Sequence, residues 1–167
     1  MLKIVKSIYE LNTEQFLAVY DESLRKSEQE LYREYSAVQQ LKLGEDDLVA
    51  YLRDDFFRQR DAFCAFWIVD GVYTSGLRVE PYRDGVLLHA LETAPAARKM
   101  GYAFSLVSAV SGYLRQEKCI AVYSHIHKRN LPSLRLHKKC GFHQVSDTAV
   151  YIDGTVTQNS CTMMLQL

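Results

Sequence analysis

Residues 87 to 114 read LLHALETAPAARKMGYAFSLVSAVSGYL, and the order of elements inside this stretch decides the fold. Leu87 to Leu91 is a short apolar strand that ends in Glu92 and Thr93. A turn containing Pro95 follows, then RKMGYA at 98 to 103, then a helix with Ala103, Leu106, Val107, Val110, Tyr113 and Leu114 along one side. Strand, glycine-containing turn and helix in that order make an anion site. The first N–H groups of a helix have no partner within it, and the helix dipole adds partial positive charge at the same end. A phosphate satisfies both. Gly101 has no Cβ and Ala103 almost nothing beyond one, so a ligand oxygen can approach this backbone closely. Arg98 and Lys99 add charge at the rim.

Downstream, Cys119 to Ile126 reads as the next strand. A helix separates it from the strand at 87 to 92, so the two are expected to run parallel, with the phosphate turn at the carboxyl end, where open α/β sheets bind ligands. Asn130 to Lys139 reads as a shorter helix with Pro132 in its first turn and Gly141 as its stop. Two strands, Gln144 to Tyr151 and Ser160 to Leu165, complete the chain around a turn at Asp153 and Gly154.

Upstream, Leu2 and Ile4 open a strand, and Asn12 and Thr13 cap a helix carrying Phe16, Val19, Tyr20, Leu24, Leu31 and Tyr35, with a break near Ser27. Gly44 reads as the opening of a second helix, with acidic Glu45, Asp46 and Asp47 in its first turn and Leu48, Tyr51, Leu52 and Phe56 buried. Ala62 to Val69 and Val72 to Glu80 flank an Asp70-Gly71 hairpin, and PYRDG at 81 to 85 turns the chain again.

A chain of 167 residues fits one domain spanning 1–167. Its longest apolar run, Ala62 to Val69, is too short for a bilayer, and the N-terminus lacks the apolar region of a signal peptide, so the expected location is cytoplasmic. Four scattered cysteines without a CxxC pair argue for free thiols. The zero net charge hides a division: residues 1 to 61 carry 9 Lys and Arg against 13 Asp and Glu, whereas residues 93 to 146 carry 9 against 1. A basic half beside a phosphate turn suits a polyphosphorylated ligand. No recognisable nucleic-acid module is present, so nucleic acid and membrane are not expected as partners.

Arg98-x-x-Gly101-x-Ala103 resembles the pyrophosphate-binding signature of the GNAT superfamily of N-acetyltransferases. NLPSLRLHKKCGF at 130 to 142 resembles a second superfamily motif, with Asn130, Ser133, Leu136, His137, Lys139, Gly141 and Phe142 in step. The resemblance implies an α/β (α+β) GNAT fold: about four helices and a mixed, mostly antiparallel sheet of about seven strands, splayed between the fourth and fifth. It implies acetyl-CoA as co-substrate, with the diphosphate on Arg98, Lys99, Met100, Gly101, Tyr102 and Ala103. The pantetheine arm would lie against Leu91 and Thr93, and Asn130, Ser133 and Lys139 would complete the cofactor site. The implied activity is acetyl transfer to a primary amine of a small molecule, peptide or protein by a monomer or homodimer. A module that binds CoA without transfer is the alternative.

An amine of pKa about 10.4 is neutral at pH 7 only once in about 2,500 molecules, a handicap of roughly 4.6 kcal/mol, whereas a thiol of pKa about 8.5 leaves more readily. A base therefore matters more than an acid. Glu92 is the candidate base, or else a carboxylate that caps a loop or pairs with a cation. His137 stands where many relatives carry a proton-donating tyrosine, and is either that acid or a packed, hydrogen-bonded histidine. His125-x-His127 and His137-x-x-Cys140-x-x-His143 imitate metal spacing, but no dense Cys/His set closes a tetrahedron, so no metal is expected.

Overall fold

In the computed structural model the backbone of all 167 residues is described, and the side chains of all except residues 28 to 30. The chain runs β1 (Leu2–Val5), α1 (Thr13–Leu31), α2 (Ala37–Asp54), β2 (Phe63–Val69), β3 (Val72–Tyr82), β4 (Gly85–Thr93), α3 (Tyr102–Gln116), β5 (Ala121–His127) and α4 (Leu131–Lys139). It ends with β6 (His143–Ser146), β7 (Ala149–Val150), β8 (Val156–Thr157) and β9 (Ser160–Gln166). One seven-stranded sheet is ordered β1-β2-β3-β4-β5-β9-β6, and β7 and β8 form a separate ribbon. Every pair is antiparallel except β4 with β5.

Alternation along β2 shows how the sheet is buried on both faces. Phe63 and Ala65 join the core under α3, with Leu77, Leu88, Leu106, Val107, Val110 and Val122. Cys64 and Phe66 join the core under α1 and α2, with Phe16, Val19, Leu24, Leu52 and Phe56. A strand covered on both faces reads as a continuous apolar run, which is why Ala62 to Val69 contains no polar residue.

Several boundaries differ from the sequence reading. α2 opens seven residues earlier than expected, because Ser36 and Gln39 form a capping box, a stronger start signal than a glycine, and Gly44 is buried inside the helix. α1 continues past Ser27, whose hydroxyl bonds back to the carbonyls of Ser23 and Leu24 without ending the helix. The expected strand 144 to 151 is divided, because Ser146 and Thr148 spend side-chain hydrogen bonds on a local turn between β6 and β7.

Candidate active site

The site begins where β4 and β5 part. They pair only at Val86↔Val122, Leu87↔Tyr123 and Leu88↔Ser124. At the closed end Gly85 lies so near Ala121 that a Cβ would sit 1.9 Å from the Ala121 carbonyl oxygen. Beyond Leu88 the ladder stops, although β4 continues to Thr93 and β5 to His127. A bulge accompanies the parting: β3 pairing passes from Arg78↔His89 to Gly76↔Glu92, so Ala90 and Leu91 together oppose Leu77, and Ala90 has φ +51°. Bulges bend and twist a strand, which carries the end of β4 away from its neighbour. The result is a cleft of about 190 Å³ that reaches from Ala90 and Leu91 to Ile126, Asn130, Ser133 and His137. Main-chain groups on its walls lack ladder partners and suit an amide-bearing guest.

The glycine turn stands ahead of α3, the helix that contributes Val107 to the wall of this cleft. Lys99 has φ +64° and Gly101 has φ +84°, ψ 2°, ahead of α3. The first bond of the helix runs from the Ser105 N–H to the Gly101 carbonyl, 3.0 Å. Among the described residues no acceptor takes the N–H groups of residues 99 to 104. Residues 98 to 101 are exposed, and Tyr102 and Ala103 are half-buried. A Cβ on Gly101 would meet nothing within 4 Å, so conformation rather than space selects glycine here. The Lys139 ammonium sits 4.5 Å from the ring centroid of Phe104, beside the first turn of α3. These features fit a diphosphate. Arg98 is partly engaged: its Nη1 lies 2.6 Å from Glu22 Oε2 on α1, and its Nε donates to the Thr93 carbonyl at 3.2 Å.

A second cavity, about 300 Å³, opens on the other side of β4 between α1, α2 and β3, and Ala90 borders both spaces. Phe16, Leu24 and Leu48 form its apolar wall, and Arg78 and Glu92 are its charged members. The Ala90 carbonyl turns toward α1 and accepts the Tyr20 hydroxyl at 2.9 Å. The Glu92 carboxylate makes no hydrogen bond or ion pair among the described residues. Burial pushes its pKa up, Arg98 and Lys26 pull it back, and Glu22 adds to the rise.

His137 is 2% exposed, and its Nδ1 lies 2.9 Å from the Ser133 carbonyl. A carbonyl only accepts, so Nδ1 carries the proton and Nε2 is left as an acceptor. Burial lowers the pKa of this ring, partly offset by the Ser133 carbonyl, so it is neutral at pH 7. Asn130 Oδ1 accepts the Ser133 N–H at 3.2 Å as the N-cap of α4. Among the described residues no group of three or more His, Cys, Asp or Glu side chains could hold a metal. Instead, His125 packs between the rings of Tyr82 and Tyr151, at 5.4 and 5.0 Å.

Sequence reasoning missed Ala90, Tyr20 and Arg78. Their placement comes from the bulge and from packing across the sheet, and LLHALET contains no glycine to mark the bulge.

The sequence matches the model of the Acetyltransferase (GNAT) family over residues 5–142. No curated protein matches it. Among solved structures, PaiA N-acetyltransferase from Thermoplasma acidophilum in complex with coenzyme A is 14% identical, covering 100% of this chain and 99% of that one with a TM-score of 0.65. Ribosomal-protein-alanine N-acetyltransferase from Brucella melitensis is 16% identical, covering 100% and 99% with a TM-score of 0.64. Another Thermoplasma acidophilum structure is 26% identical over 61% of this chain, which spans only 37% of it, with a TM-score of 0.50. Likeness at 14% and 16% identity establishes the fold.

Proposed function

Since the chain belongs to the GNAT acetyltransferase family, we propose that it is an acetyl-CoA-dependent N-acetyltransferase that passes the acetyl group directly to a bound primary amine. The observation that carries this reading is the pair of cavities meeting at Ala90, one walled by unladdered backbone and the other containing an unpaired carboxylate.

Bound acetyl-CoA supplies a thioester whose acyl carbon goes to the amine. The N–H groups of Lys99 to Ala103, with Arg98 and Lys139 beside them, hold the diphosphate. Leu91 and Thr93 line the path of the arm, and Asn130 and Ser133 close it from α4. Glu92 takes the proton that the ammonium must lose, directly or through one water. Its lack of an ion pair among the described residues supports that role over a capping one, and a carboxylate raised by burial is a better match for this transfer than an ordinary one. His137 can protonate a departing sulfur only as imidazolium, which burial disfavours. Its contribution is therefore small.

Release of free thiol from acetyl-CoA, measured with polyamines, aminoglycosides, amino acids and peptides and checked by the mass of the product, tests the proposal. Thiol release dependent on one acceptor class, with a 42-dalton gain on its amine (about the mass of one acetyl group replacing a proton, as the C–N bond formed demands), is the expected result. Tight CoA binding without transfer to any amine would make the chain a binding module instead.

A further inference from the structure

The cavity beside Glu92 holds a second charge, Arg78, that makes no ion pair among the described residues. Arg78 lies on β3, diagonally across from Glu92: Gly76 pairs with Glu92, and Arg78 with His89. Both residues border the same space of about 300 Å³, yet they form no ion pair with each other. Arg78 Nε is buried without a hydrogen-bond acceptor, and among the described residues the guanidinium has no ion pair at all. It stacks on the ring of Tyr51, with the centroid 5.4 Å from Cζ, and its charge helps to lower the pKa of Glu80. The nearest carboxylate along β3, Glu80, is already engaged: His89 Nε2 lies 2.7 Å from it, though out of hydrogen-bond alignment, and the Tyr51 hydroxyl is 3.4 Å away.

A half-buried guanidinium whose Nε donor is buried and unused is costly, and its planar fork matches a carboxylate. A carboxylate and a guanidinium held apart across one apolar-walled space complement a guest that carries both opposite charges. Phe16, Leu24 and Leu48 supply the surface for an apolar body between them. The volume stands at the low end for ligand pockets. A polyamine or aminoglycoside would set further positive charge against Arg78.

Resting on the acetyltransferase reading above, we propose that the acceptor is a compact amino acid with an apolar side chain, its amine directed to Glu92 and its carboxylate received by Arg78. The test is equilibrium binding to the CoA-loaded protein, by calorimetry, of L-phenylalanine, L-leucine and L-methionine, each beside the amine that lacks its carboxylate. The amino acids of this set that fit should bind about tenfold or more tightly than their decarboxylated partners, the value of a charge-assisted hydrogen bond. Arg78→Gln should abolish that preference while leaving the decarboxylated amine bound as before, and Arg78→Lys should restore part of it. Equal binding of acid and amine in the unsubstituted protein, a preference that survives Arg78→Gln, or no binding by any of the three acids would overturn the proposal. Failure of the transferase reading looks different: the amino acid binds with its carboxylate preference, but acetyl-CoA yields neither thiol nor acetylated product.

Discussion

On one side of β4 the chain presents main-chain groups, the N–H groups of residues 99 to 104, which have no acceptor among the described residues, and the unladdered walls beyond Leu88. On the other side it presents side chains: Glu92, Arg78 and an apolar wall from α1 and α2. The difference teaches how one fold can hold a constant ligand and a variable one. A backbone site depends on conformation, so it needs a glycine at φ +84° and a bulge at Ala90, and few identities besides. A side-chain site is respecified by each substitution on a helix face. The strand between them brings both to one atom-scale border at Ala90.

The sharpest way to break this comparison is Glu92→Gln, which should act on the side-chain face alone. Turnover is expected to fall about 10²- to 10⁴-fold, the usual worth of a positioned base. The Michaelis constant for acetyl-CoA should barely change. The rate of the unsubstituted enzyme should rise with pH as Glu92 ionises, and because burial lifts its pKa, that limb should lie above the ordinary carboxylate range. Steady-state kinetics across pH with both proteins reads all three outcomes, and a variant as active as its parent would remove Glu92 from the chemistry.

Gly85→Val probes the closed end of the seam from which both faces diverge. A side chain there must displace the Ala121 carbonyl, so a loss of about 3 kcal/mol or failure to fold is expected in urea melts. A variant of unchanged stability would mean the strands do not approach as closely as described.

The smallest expected effect concerns His137. The folded protein holds it with a lowered pKa, so its contribution to stability is present above the unfolded value of about 6.5 and is lost as the pH falls below it. His125, also lowered by burial, with Arg83 and His89 adding to the effect, titrates in the same sense. Melting temperature should therefore drop from pH 7 to pH 5, and less so in His137→Gln, whose turnover should stay within about tenfold of the parent. A pH-independent melting temperature would show that neither ring is held neutral.

The contrast between the faces also explains what could be read from residues alone. Gly101 and Pro132 announce backbone requirements, and the period-2 and near-3.6 apolar spacings place the strands and α3, so the glycine turn and the parallel pair were legible. Ser36 and Gln39 carried the start of α2 in plain sight, but the more conspicuous Gly44 drew the boundary the wrong way. Ala90 could not be found, because alanine at positive φ leaves no mark in a strand pattern. Arg78 and Tyr20 looked like ordinary members of β3 and α1. Their meeting with Glu92 depends on how the first two helices pack over the sheet, a long-range fact that no local spacing records.

Calorimetry of acetyl-CoA with the unsubstituted protein and with Gly101→Asp tests the backbone site most directly. The parent should bind one equivalent, and the variant, with a β-carbon at φ +84° and a negative charge set against the diphosphate, should bind none. Equal affinity in the two proteins would contradict a cofactor held by the main chain of this turn.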